Sequence, residues 1–140
     1  MTKKTVPIKM KTPRGNDAYV YYSFDGIPTD GLIPLYLGYT IKNKIYIQPH
    51  LIDDKGLLQH ELTHVDQYDE YCFWSKRYQY NKSFRLKMES EAFATQLKGD
   101  GCLNKLNKYA NELSTKYNID KTQKECEDII MKFYKEIKDV

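Results

Sequence analysis

His60-Glu61-Leu62-Thr63-His64 organises everything around it. The segment from about Asp53 to Tyr71 carries Leu57, Leu58, Leu62, Val65 and Tyr68 at helical spacing, and Asp53 or Asp54 is placed to cap its start. On a helix, residues four apart differ by about 40° in direction, so both imidazoles leave the same face. Two neutral ring nitrogens on one face can grip a single zinc ion at ~2.1 Å. Glu61 then points toward the open side of such an ion, where a carboxylate can take a proton from an activated water. Leu62 and Val65 point to the core, which fixes the helix while its polar face stays open. A random ordering of this composition gives HExxH in roughly 0.2% of chains, so the spacing carries information. Asp53, Asp54, Asp66, Asp69 and Glu70 flank the motif and favour a cation.

A catalytic zinc site wants a third protein ligand and leaves one position open. The candidates are His50, Asp66, Asp69, Glu89, Glu91 and the cysteines. Asp66 and Asp69 share the helix but lie off the His60–His64 face. Glu89-Ser90-Glu91-Ala92-Phe93-Ala94 lies on the next expected helix, from about Phe84 to Lys98, which can pack antiparallel to the first. Glu89 and Glu91 point in very different directions, so only one of them can bind. Small Ala92 and Ala94 permit close approach, while Leu86, Phe93 and Leu97 read as core. Glu91 is the favoured ligand.

The first fifty residues alternate and turn. Val6 to Met10 and Ala18 to Phe24 read as strands of a hairpin around Arg14-Gly15-Asn16-Asp17. Asp25 to Pro34 is a Gly- and Pro-rich loop. Tyr39 to Ile41 and Lys44 to Gln48 read as two short strands joined at Lys42-Asn43. Tyr71 to Ser83 is aromatic and irregular. Two more helices are expected, from about Cys102 to Tyr117 and from Thr122 to Lys138. The last opens on a capping box, Thr122-Gln123-Lys124-Glu125. Strands followed by about four helices argue for one α+β domain over residues 1–140, with a small antiparallel or mixed sheet and HExxH on the first long helix.

Composition excludes several classes. The chain has 140 residues, 41% apolar and 29% charged, with 14% aromatic, and no run approaches a membrane span. No apolar core follows the basic N-terminus, so no signal peptide is expected. A net charge of +3, from 22 basic and 19 acidic residues, is too balanced to argue for nucleic acid. The basic stretch Lys3, Lys4, Lys9, Lys11 and Arg14 reads as a solvated edge strand. Cys72, Cys102 and Cys126 show no metal spacing and read as free thiols in a reducing, cytoplasmic compartment. The aromatic group Tyr71, Phe73, Trp74, Tyr78 and Tyr80 reads as packing between helices, and Asp66 and Gln67 read as a solvated helix face before a brace for a ligand His.

HELTH followed by ESEAFATQL, over about residues 45–98, resembles the gluzincin group of zinc metallopeptidases, and within it the small ImmA/IrrE-type and similar minimal zincins of phages and mobile elements. The resemblance implies a zincin-like fold and a Zn²⁺ cofactor. It also implies a third ligand at the Glu directly before an Ala on the following helix, which is Glu91-Ala92 here. Thr63 stands where the ImmA type tends to have Gly. In zincins the edge of a strand before the active-site helix binds extended substrate, and Lys44 to Gln48 would be that strand. The implied activity is hydrolysis of a protein or peptide substrate, with Glu61 as the general base. His50, Tyr68 and Tyr71 are candidates for stabilising the oxyanion, and Asp66 for bracing a ligand. Two other readings compete. One is a zincin-fold regulatory protein that keeps zinc but acts by holding a partner. The other is an interaction module with a chance motif.

Overall fold

The structure is a computed structural model that describes residues 6–23 and 37–137. The loop expected at Asp25 to Pro34, the last residue of the strand expected to end at Phe24, Lys3, Lys4 and Lys138 lie outside the described residues.

Alternation of apolar and polar residues builds a four-stranded sheet. Strands β1 (Ile8–Lys11) and β2 (Asp17–Tyr21) form an antiparallel hairpin, with Ile8 opposite Val20 and Lys11 opposite Asp17. Strands β3 (Gly38–Ile41) and β4 (Lys44–Ile47) form a second hairpin across the two-residue turn Lys42-Asn43. Lys42 has φ +56°, as such a tight turn requires. β4 then pairs in parallel with β2, giving the mixed order β1-β2-β4-β3. One face of the sheet carries Ala18, Val20, Ile45 and Ile47, all buried, against Leu57, Leu62 and Val65. β1 lies at an edge, so exposed Lys9 and Lys11 sit on a solvated strand as expected.

Five helices follow among the described residues. They are α1 (Lys55–Glu70), α2 (Trp74–Tyr80), α3 (Lys82–Asp100), α4 (Leu106–Lys116) and α5 (Gln123–Glu136). Asp54 caps α1 by accepting from Leu57 N at 3.0 Å. Thr122 and Glu125 complete both halves of the expected capping box on α5. α2 corrects the expectation of an irregular connection. Its seven residues start from Phe73 at φ +58°, and Trp74 stacks on Tyr78 one turn later, ring centroids 4.7 Å apart. α3 runs through Gly99 and stops at Gly101, and α4 begins four residues later than expected because Cys102 to Lys105 turn first.

The start of α1 meets the end of α3, so the two helices run antiparallel. Gly56 is where they touch most closely: a Cβ there would lie 2.1 Å from the Asp100 carboxylate and 3.0 Å from the Gln96 carbonyl oxygen. A second core lies on the far side of α3, where Phe93, Leu97, Leu113, Cys126 and Ile130 are buried together. Trp74, Phe84 and Met88 form a third, with Tyr68, Tyr71 and Tyr78 against it. This is the packing role expected of the aromatic group, although Phe73 and Tyr80 stay exposed.

Arg85 ties these parts together. Its buried guanidinium donates to the carbonyls of Tyr78 and Gln79, at the end of α2, at 2.7 and 3.1 Å. It also donates to the carbonyls of Tyr117 and Asn118, after α4, at 2.7 Å each. Helix ends leave such carbonyls without internal partners, and a cation suits the negative end of the helix dipole. The three thiols are unpaired. No described helix is long and apolar enough to cross a membrane.

Candidate metal centre

Helix α1 presents His60 and His64 on one face, as their spacing requires, with ring centroids 4.9 Å apart. α3 brings Glu89 across from them. Glu89 Oε1 lies 3.1 Å from His64 Nε2, and Oε2 lies 3.3 Å from His60 Nε2. All three residues are buried, and one ligand atom from each lies within 4.8 Å of the others. The His60 ring packs edge-on against Phe93 at 4.7 Å, one turn beyond Glu89 on α3. That contact sets the register in which Glu89 faces the histidines.

The expected ligand Glu91 is not in this group. Its carboxylate accepts from Gln67 Nε2 at 3.1 Å and lies 3.6 Å from the Arg14 guanidinium. Two residues on a helix differ by about 200° in direction, so α3 can aim only one of the two carboxylates at the histidines. Packing selects Glu89.

Hydrogen bonding decides the state of the His64 ring. Gln67 is fully buried. Its amide nitrogen donates to Met88 O at 3.0 Å and to Glu91 Oε1 at 3.1 Å. Its amide oxygen therefore faces His64 Nδ1, at 2.8 Å, as an acceptor. His64 Nδ1 must carry a proton, which leaves Nε2 with its lone pair toward Glu89. A lone pair facing a carboxylate oxygen at 3.1 Å is repulsive unless a positive centre sits between them. In the metal-free protein that centre is a proton. Burial works against a charged imidazole, but the Glu89 carboxylate outweighs it and pushes His64 up to about 9. Burial likewise pushes the Glu89 carboxyl up, and His64 and His60 outweigh it and hold Glu89 well below the usual carboxylate range.

These shifts make the stability of the metal-free protein depend on pH. A folded value above the unfolded 6.5 means that the His64 contribution is whole below 6.5 and is lost as pH rises through about 9. The Glu89 contribution is present above the unfolded 4.5 and is lost as pH falls toward its depressed value. Denaturant unfolding from about pH 7 to about pH 10 should therefore show stability falling as pH rises through about 9. A flat profile over that interval would mean that no such proton is held.

Glu61 approaches from the other side. Its carboxylate accepts from the Thr40 hydroxyl on β3 at 2.5 Å. It also packs against Gly38, where a Cβ would lie 3.0 Å from Oε1. Strand β3 thus cradles the carboxylate, and a side chain at position 38 would have to push the Glu61 side chain aside by a few tenths of an ångström. His60, Glu61, His64 and Glu89 open into a cavity of about 310 Å³, walled by Thr40, Tyr68, Trp74 and Tyr78 among others. Tyr78 donates to Glu89 Oε1 at 3.0 Å. Glu89 Oε2 is buried and accepts no hydrogen bond.

The remaining expected residues divide. Tyr68 lines the cavity, and its hydroxyl accepts from Ser75 Oγ at 3.3 Å. Tyr71 lies outside it, along a neighbouring surface groove. His50 is exposed on the turn Pro49–Leu51 after β4 and does not line the cavity. Asp66 is buried, not solvated, and accepts from Thr12 Oγ1, from Arg14 N at 3.3 Å and from Asn16 Nδ2 at 2.8 Å. It anchors the β1–β2 turn to α1 and touches no ligand. Gln67 is the brace instead. β4 is paired on both sides, so the expectation that its edge is open does not hold; the sheet edge beside α1 is β3. Thr40 carries no signal in the sequence, and Tyr78 reads there only as one of an aromatic group. The spacing of Trp74 and Tyr78, four apart before Asn81, was a signal for the helix that carries Tyr78.

No protein-family model matches the chain, and no curated protein or solved structure matches it.

Proposed function

We propose that this chain is a zinc-dependent peptidase with a zincin-like site, in which His60, His64 and Glu89 hold Zn²⁺ and Glu61 is the general base. One observation carries the reading. Three buried ligand atoms, two imidazole nitrogens and a carboxylate oxygen, converge within 4.8 Å of one another, as a single cation requires. Two His and one Glu are a donor set that suits zinc and leaves a position open. The buried Glu89 Oε2, with no hydrogen bond of its own, fits a ligand atom. A mixed sheet before the HExxH helix, with its edge strand β3 beside that helix, supports the zincin-like reading of the α+β fold.

Bound zinc would supply a Lewis acid that polarises a carbonyl and makes water acidic. The chain supplies the rest. Glu61, held by Thr40, takes a proton from the attacking water and passes it to the leaving amine. Tyr68, at the cavity wall, is the candidate donor to the carbonyl oxygen as it gains charge. The substrate in this reading is an extended or unfolded protein segment laid along β3.

Elemental mass spectrometry of the untagged protein, beside cleavage of a denatured protein with and without chelator, tests the reading. About one zinc per chain, with cleavage that the chelator stops, is expected. No zinc after incubation with excess Zn²⁺ would sink it.

A further inference from the structure

Glu89 and Glu91 are two residues apart and reach the same helix by different routes. Glu89 faces His64 directly. Glu91 reaches the opposite nitrogen of the same ring through Gln67: Glu91 Oε1 accepts from Gln67 Nε2 at 3.1 Å, and Gln67 Oε1 accepts from His64 Nδ1 at 2.8 Å. Met88 O takes the second amide proton at 3.0 Å, so the amide can be turned only one way. Arg14, from the β1–β2 turn, lies 3.6 Å from Glu91 and also pairs with Glu70.

We propose that Glu91 and Gln67 form a relay that orients and polarises His64 for the metal, with Arg14 fixing its outer end. The inference rests on the zinc reading above and assigns a role to a carboxylate outside the ligand set. A carboxylate that accepts from one end of an amide strengthens the acceptor at the other end. A stronger acceptor at Nδ1–H makes Nε2 more electron-rich and holds the ring in the ligand orientation. Glu91 and Gln67 are thus positioning residues, not ligands. Gln67 has no partner that a solvated residue could replace, since all three of its hydrogen bonds lie inside the α1–α3 interface.

Zn²⁺ affinity, measured by competition with a chromophoric chelator, tests this in the wild type, Glu91→Ala, Gln67→Leu and the double variant. All four are expected to bind one Zn²⁺. Glu91→Ala should weaken binding by roughly 10-fold and Gln67→Leu by roughly 10- to 100-fold. The double variant should bind no more weakly than Gln67→Leu alone, because Glu91 acts through Gln67. Glu91→Gln keeps an acceptor for the Gln67 amide and should recover most of the affinity, which keeps the test open if Gln67→Leu fails to fold. Unchanged affinity in Glu91→Ala, losses that multiply in the double variant, or no recovery in Glu91→Gln would overturn the relay. Failure of the zinc reading shows separately, as a wild type that binds no Zn²⁺, and takes the relay with it.

Discussion

Glu61→Gln is expected to bind zinc as tightly as the wild type and to cleave a denatured protein about 10²- to 10⁴-fold more slowly. Glu61 is not among the three converging ligands, so its replacement leaves the donor set intact. The amide has the size of the carboxylate, and its oxygen can still accept from Thr40 and rest against Gly38. What it lacks is a basic oxygen for the proton of the attacking water. Zinc content and cleavage rate therefore separate in this variant. Cleavage at the wild-type rate would remove Glu61 from the mechanism. Cleavage absent from the wild type as well, with zinc retained, would favour the reading in which the metal site serves a protein that holds a partner.

Glu89→Ala is expected to lose zinc by well over 100-fold, beyond the ~10- to 100-fold that loss of a partner outside the ligand set costs. Two histidines remain on α1, but the converging donor set then has no carboxylate. The variant also removes the group that holds the His64 proton in the metal-free protein, so the alkaline fall in stability should vanish with it. Zinc content measured beside Glu91→Ala decides the assignment. Retention of zinc by Glu89→Ala and its complete loss from Glu91→Ala would return the ligand role to Glu91.

The sequence was most legible where one segment carried its own signals. Helix α1 has an apolar stripe, a cap at Asp54 and ligands four apart, and all of these act within one helix. The α5 capping box is similarly local. The choice between Glu89 and Glu91 was not local. It depends on which stripe of α3 faces α1, and that stripe runs through Glu89, Phe93, Gln96 and Asp100, spaced four, three and four apart. Phe93 reads as core and lies in the core, but its ring also packs against His60. Reading Phe93 as the contact with α1 would have selected the glutamate one turn before it. α2 was obscured for another reason. At seven residues it offers a single periodic pair, Trp74 and Tyr78, and Phe73 enters it from a left-handed conformation that no propensity anticipates. Buried Asp66 and Gln67 were hidden because donors from Thr12 to Asn16 cover Asp66 and acceptors on α3 take the Gln67 amide, on a face that looks polar in sequence.

The Arg85 contacts have a consequence for the order in which the protein can be completed. The residues proposed to hold the cation, from His60 to Glu89, are all present once residue 89 has been made. The wall that encloses them is not, because α2, which carries Trp74 and Tyr78, leaves end carbonyls that its own backbone does not satisfy. Two of its end carbonyls are held by a guanidinium whose other two partners are Tyr117 and Asn118. Those partners lie beyond α4, and Tyr117 itself lines the cavity. One side chain thus ties a seven-residue element near the middle of the chain to a segment nearly forty residues downstream. The proposed metal ligands are encoded early in the chain, and part of the wall around them is encoded late.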